Sequence, residues 1–160
     1  ALNTARLAAL GLLNCELRCA EYVEELPQLL SDSRWHSCLL FPGEQSVAVG
    51  RFATESAAKP LQLVVPDGTW RKVRKLLHLN PALAALPRVT LASVSASRYR
   101  VRKAAMPGAL STIEAIVQAL EEVEGHGLFQ PLLRPFEALI EGQIAAMGEA
   151  TYQRNHSPCE

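Results

Sequence analysis

Leu61-Gln62-Leu63-Val64-Val65-Pro66-Asp67-Gly68-Thr69-Trp70, followed at once by Arg71-Lys72-Val73-Arg74-Lys75, decides how this chain folds. The apolar run has the length of a buried strand, and Pro66 and the Asp-Gly pair close it. From Trp70 onward the pattern is helical. A strand that feeds straight into a helix is half of a βαβ unit, and in an open α/β sheet ligands bind at the carboxyl ends of the strands. The stretch therefore sets an acid, a turn, a hydroxyl and a large aromatic at that edge, with a basic helix leading away.

Outward from this stretch the elements alternate. Asn3 or Thr4 caps a short helix carrying Leu7 and Leu10, residues 15–19 alternate in the manner of a strand, and a helix near 24–30 is broken by Pro27. Residues 36–41 read as a strand ending at Pro42-Gly43, and 54–60 as a surface loop. The helix at 70–79 stops at Asn80-Pro81, residues 88–92 form another strand, and 93–108 an irregular basic loop. Helical spacing returns at Ile113, Ile116, Val117 and Leu120, and a final helix occupies 128–147. Strands alternating with helices predict an α/β fold with a mostly parallel sheet covered on both faces.

A chain of 160 residues with 49% hydrophobic composition can bury an aliphatic core in one domain. No apolar run approaches the roughly 20 residues of a membrane span, and no signal-peptide pattern is seen. Four irregularly spaced cysteines (Cys15, Cys19, Cys38 and Cys159) fit a reducing, cytoplasmic setting. The sequence begins at Ala1 in what reads as mid-motif, so N-terminal material is expected to precede it.

The formal net charge is zero, yet no acidic residue occurs between Asp67 and Glu114. That interval holds Arg71, Lys72, Arg74, Lys75, Arg88, Arg98, Arg100, Arg102 and Lys103, while acids gather at Glu21, Glu24, Glu25, Glu121, Glu122 and Glu124. Such polarity gives either a solvated basic helix or a positive face that attracts the phosphates of nucleic acid.

Asp67-Gly68-Thr69-Trp70 resembles the Asp-x-Thr-Trp signature of the DTW-domain family of tRNA-uridine aminocarboxypropyltransferases. Further blocks in the family's order are Asn3-Thr4-Ala5-Arg6-Leu7, Leu39-Leu40-Phe41-Pro42-Gly43, Asn80-Pro81, Leu86-Pro87-Arg88-Val89, Tyr99-Arg100-Val101-Arg102 and Leu110-Ser111-Thr112-Ile113-Glu114-Ala115. The resemblance covers about residues 1–145. It implies a SPOUT-like fold, often knotted toward the C-terminus at the cofactor site, with residues 1–150 as the transferase domain and 151–160 as a polar, frayed tail. It also implies S-adenosylmethionine as donor, a tRNA uridine as acceptor, 3-(3-amino-3-carboxypropyl)uridine as product and methylthioadenosine as leaving group. Bacterial members usually carry a cysteine cluster upstream that looks like a zinc site, and this chain begins after it. Cys15 and Cys19 lack a pair that would complete a tetrahedral set, so no metal is expected here.

Site residues follow from the resemblance combined with chemistry. Attack by uracil N3 requires loss of its proton, and Asp67 is the candidate base or orienting acceptor. An ordinary Asp titrates at about 3.9, so desolvation beside Trp70 would have to raise it. Asp67 or Thr69 serves equally as a helix cap, and Trp70 is either a core aromatic or a stacking platform. Asp67, Thr69 and Trp70 form the catalytic set. Leu40, Phe41, Pro42, Gly43, Pro66, Asp67 and Gly68 are read as one wall of the S-adenosylmethionine pocket. Arg102, Gly108, Leu110, Ser111 and Thr112 are read as another, with the donor's carboxylate at the helix start. Ser111 and Glu114 also fit a capping box. Asn3, Arg6, Arg71, Arg74, Lys75, Arg98 and Arg100 are assigned to RNA, with capping by Asn3 as the alternative.

The alternatives are a methyltransferase using the same donor, distinguished by which sulfur-bound carbon faces the acceptor, and a non-catalytic RNA-binding module. The protein is expected to be a monomer or a homodimer paired through its apolar final helix.

Overall fold

The computed structural model describes residues 3–55, 58–101 and 109–156. In chain order the elements are α1 (Thr4–Gly11), α2 (Leu26–Leu30), β1 (His36–Leu40), β2 (Val47–Ala48), α3 (Val49–Glu55), β3 (Leu61–Val64), α4 (Trp70–Leu79), α5 (Pro81–Ala84), β4 (Arg88–Thr90), α6 (Thr112–Glu124), a 3-10 turn (Gln130–Leu133), α7 (Arg134–Met147) and α8 (Glu149–His156). They divide into two compact units. One comprises Glu16–Ala92 with Glu122–Glu124, the other Ala1–Cys15, Ser93–Glu121 and Gly125–Glu160. No helix among the described residues is long and apolar enough to cross a membrane.

The first unit holds the sheet. Its four strands run in the order β2-β4-β1-β3, and every pairing is parallel. Leu39 of β1 pairs with Val64 of β3 on one side and with Arg88 of β4 on the other, so β1 is central. Alternation along β1 sends Leu39 and Phe41 to one face, where they pack with Val73 and Leu77 of α4 and Leu83 of α5. On the opposite face His36 meets the Phe52 ring of α3 edge-on at 4.6 Å. The sequence-based expectation of a parallel sheet flanked by helices is met.

Several expectations change in detail. Residues 15–19 form no strand; their alternation is spent on exposed positions with no partner edge. The loop expected at 54–60 yields its first two residues to α3, and β2, α3 and α5 are too short for periodicity to reveal. Gly50, the second residue of α3, leaves room for a neighbouring backbone: a Cβ there would lie 2.9 Å from the Glu122 carbonyl oxygen. Asn80 does more than stop α4. Its buried amide donates to the carbonyls of Leu76 and Glu21, both at 2.8 Å, and accepts from the Val23 N–H at 3.1 Å. One side chain thus closes a helix and holds the incoming segment at 21–23.

The second unit is helical. Ala8 of α1, Ile113 and Val117 of α6, Leu133, and Phe136, Ile140 and Ile144 of α7 form its core. The apolar stripe of α7, which the sequence offers as a dimer face, is therefore used inside its own unit. Tyr99 meets Phe136 edge-on at 5.3 Å. The polar segment from Thr151, expected to be frayed, is helical to His156, and Tyr152 packs against this core.

Two buried carboxylates organise the polar parts of this unit. Glu114 is 2% exposed. It accepts from the Ser111 N–H at 2.8 Å, the Ser111 hydroxyl at 2.6 Å, the Ser97 hydroxyl at 2.9 Å and the Arg98 N–H at 2.5 Å. The expected capping box is present, and it also ties down the 97–98 loop. Glu121 accepts from the N–H groups of Gly127 and Phe129 and from the Gln130 amide. Burial alone would raise the Glu121 carboxyl. The hydrogen bonds from Gln130, Phe129 and Gly127, with His126 nearby, outweigh it and hold the group below its ordinary range.

Replacing Glu114 with Gln puts an amide donor among donors, leaving at least one buried group unpaired. Urea unfolding of Glu114→Gln should show a loss of about 2–3 kcal/mol. Glu121 sets a pH dependence. Because its native carboxyl titrates below the unfolded one, its stabilisation is complete above about pH 4.5 and fades as pH falls through the lower native value. Acid titration of unfolding stability should therefore fall less steeply below about pH 4.5 in Glu121→Gln than in the unaltered protein.

Candidate functional site

Parallel pairing of β1 with β3 brings two carboxyl ends side by side. Leu40 ends β1 and runs into Phe41-Pro42-Gly43; Val64 ends β3 and runs into 65–69. The two segments expected to share a pocket wall thus lie at one edge of neighbouring strands. The rings of Phe41 and Trp70 meet there with centroids 5.2 Å apart at a 53° tilt.

Between strand and helix the chain turns at Gly68, whose φ of +145° strains a side-chain-bearing residue, and a Cβ there would come within 3.3 Å of the Lys72 Cβ. The N-cap of α4 is Thr69, with its hydroxyl accepting from the Lys72 N–H at 3.4 Å. The helix cap offered to Asp67 or Thr69 thus falls to Thr69. Asp67 lies exposed at the turn, so burial beside Trp70 is not a property of the chain alone. Trp70 is 47% exposed, which corrects the core-aromatic alternative: one flank rests on buried Phe41 while the rest is open.

The basic residues separate by partner. Helix α4 buries Val73 and Leu77 and exposes Arg71, Lys72, Arg74 and Lys75. Lys75 is engaged: its ammonium lies 2.6 Å from Glu21, and that hydrogen bond and charge hold the Glu21 carboxyl below its ordinary range. Arg71 and Arg74 make no ion pair among the described residues. Arg88, assigned no role from the sequence, lies half-buried with its guanidinium carbon 5.6 Å from the Phe41 ring centroid. The sequence signals for it were its place in the Leu-Pro-Arg-Val block at a strand start and in the acid-free interval.

The remaining candidates belong to the helical unit. Asn3 caps α1, its side-chain oxygen accepting from the Arg6 N–H at 3.1 Å, so the capping alternative describes it; Arg6 is exposed. Arg98 pairs with Glu137 and Gln130, and Arg100 with Glu141, so both expected RNA ligands are engaged by their own unit. Leu110 and Thr112 are half-buried at the start of α6, and Ser111 is buried with its N–H and hydroxyl both given to Glu114. Arg102 and Gly108 lie outside the described residues.

Among the described residues no group of three or more His, Cys, Asp or Glu side chains is arranged to hold a metal. Cys38 is buried in β1, and burial pushes its thiol up to about 12, where it is no nucleophile at neutral pH.

The family model described as the DTW domain matches residues 1–144. A protein named tRNA-uridine aminocarboxypropyltransferase 2 from Drosophila melanogaster is 36% identical over 107 residues, covering 66% of this chain and 42% of that protein. Proteins of the same name from Mus musculus and Macaca fascicularis are 29% and 27% identical over 121 and 119 residues, covering 75% and 74% of this chain and 40% of each relative. The chain thus spans about two fifths of the length of these relatives. No solved structure matches it.

The strained turn yields a direct expectation. Gly68→Ala should lose about 1–3 kcal/mol in chemical unfolding, while Pro42→Ala, at an exposed position on the neighbouring loop, should stay within about 0.5 kcal/mol of the unaltered protein.

Proposed function

The chain belongs to the DTW-domain family, and on that footing we propose that the intact protein transfers the 3-amino-3-carboxypropyl group of S-adenosylmethionine to N3 of a tRNA uridine. The observation that carries this reading is the Asp67–Trp70 turn at the carboxyl edge of β3, set against the Phe41–Gly43 end of β1. The relatives' printed name supports the reaction class. The parallel sheet supports a SPOUT-like assignment, with a knot at the cofactor site as its finer form.

The residues fit such a donor in kind. Phe41 and Trp70 offer aromatic surface, Gly43 and Gly68 allow close backbone approach, and Leu40 and Pro66 add apolar wall. In the reaction the bond from N3 to the sulfur-bound carbon forms as that carbon–sulfur bond breaks. Methylthioadenosine leaves with the bonding electron pair, and Asp67 accepts the N3 proton. A sulfonium is already an activated leaving group, so positioning is the main catalytic contribution. Bound tRNA supplies the water exclusion around Asp67 that the chain alone lacks.

Arg71 and Arg74, both exposed on α4 and without ion pairs among the described residues, hold RNA phosphates. Lys75, Arg98 and Arg100 join them only by releasing Glu21, Glu137 and Glu141. A cytoplasmic setting accords with a tRNA substrate.

The test is mass spectrometry of small-molecule products after incubating the intact protein with S-adenosylmethionine and unmodified tRNA. Methylthioadenosine should appear only when tRNA is present, and Asp67→Asn should lower its rate by about 100-fold or more with little change in tRNA binding. S-adenosylhomocysteine instead would replace this reading with methylation. Tight tRNA binding with neither product would replace it with a binding module.

A further inference from the structure

The start of α6, where the donor's carboxylate was expected, already has its anion. The buried Glu114 carboxylate takes both the Ser111 N–H and the Ser111 hydroxyl. A second carboxylate there would meet like charge in a buried setting, while the helix-end dipole is already compensated.

At the carboxyl edge of the sheet the opposite situation holds. Arg88 is half-buried and forms no ion pair among the described residues. The guanidinium lies over Phe41, the ring that also touches Trp70. Its place depends on Gly43, where a Cβ would stand 2.9 Å from both the Arg88 Cδ and one terminal nitrogen. A ring beneath, a glycine beside and a strand start behind hold a planar fork of donors at the proposed pocket. That is an arrangement made for a planar oxyanion.

The geometry points to Arg88 as the residue that binds the carboxylate of the aminocarboxypropyl group, making it the donor-specificity determinant of the site. This rests on the transferase reading above and adds to it the group that recognises the transferred fragment. A lysine would keep the charge but lose the two-pronged contact, and an alanine at position 43 would displace the fork. The alternative source of an oxyanion, a tRNA phosphate, fits less well: phosphate-tracking side chains stand exposed, as Arg71 and Arg74 do, whereas Arg88 is half-buried against a ring.

Calorimetric titration of the intact protein with S-adenosylmethionine and with its decarboxylated analogue tests this. The unaltered protein should bind S-adenosylmethionine about 10–100-fold more tightly than the analogue. Arg88→Met should equalise the two by weakening S-adenosylmethionine alone, with Arg88→Lys and Gly43→Ala intermediate. Retained analogue binding shows that the pocket is folded. Equal weakening of both ligands, or no change in their ratio, overturns the assignment. So does a loss of tRNA affinity in Arg88→Met with the ratio intact, which would move Arg88 to a backbone phosphate. If the unaltered protein makes methylthioadenosine and the ratio is unchanged in the variant, Arg88 alone is wrong; if it binds no S-adenosylmethionine, both readings fall.

Discussion

Parallel pairing of β1 with β3 is the constraint on which the candidate site depends. The register that matches Leu39 with Val64 places both strands' carboxyl ends at one edge. It also places Phe41 where α4, beginning at Trp70 directly after β3, can rest its first ring. Parallel strands cannot be joined by a tight turn, so each carboxyl end leads into a loop or helix free to carry function. Gly68 and Thr69 complete the geometry, one by its positive φ and the other by capping α4.

Polar groups in the second unit are handled differently. Glu114 and Glu121 are charged groups brought inside and surrounded by donors, and both secure loops as well as helix ends. Such carboxylates are tolerated because both oxygens of each accept hydrogen bonds; one left without donors would cost more than an apolar residue in the same place. Asn80 plays the same part in the sheet unit, with donors and acceptor all committed.

Charge is where the linear reading and the folded chain part most clearly. The interval from 68 to 113 has no acid, which reads as a positive surface. Folding brings acids to it from far along the chain: Glu21 to Lys75, Glu137 to Arg98 and Glu141 to Arg100. These exposed pairs contribute little stability in water, but they narrow the positive face proposed for RNA. In the sheet unit it reduces to Arg71, Lys72 and Arg74, while Arg88 lies half-buried over Phe41.

The sequence by itself determined the strand–turn–helix at 61–79, the strands at 36–40 and 88–90, the capping box at Ser111 and Glu114, and the α/β class. Each rests on contacts within a few residues or on a periodicity that burial imposes locally. It also determined the family, because the signature blocks are local. The tertiary structure alone decided that β1 is central, that Trp70 stays open, and which cations are matched. It also decided that β2 and α3 exist, and that the alternating residues 15–19 make no strand. The physical reason is common to these. Pairing partners, ion-pair partners and burial are set by residues tens of positions apart, and no local pattern encodes which of them meet.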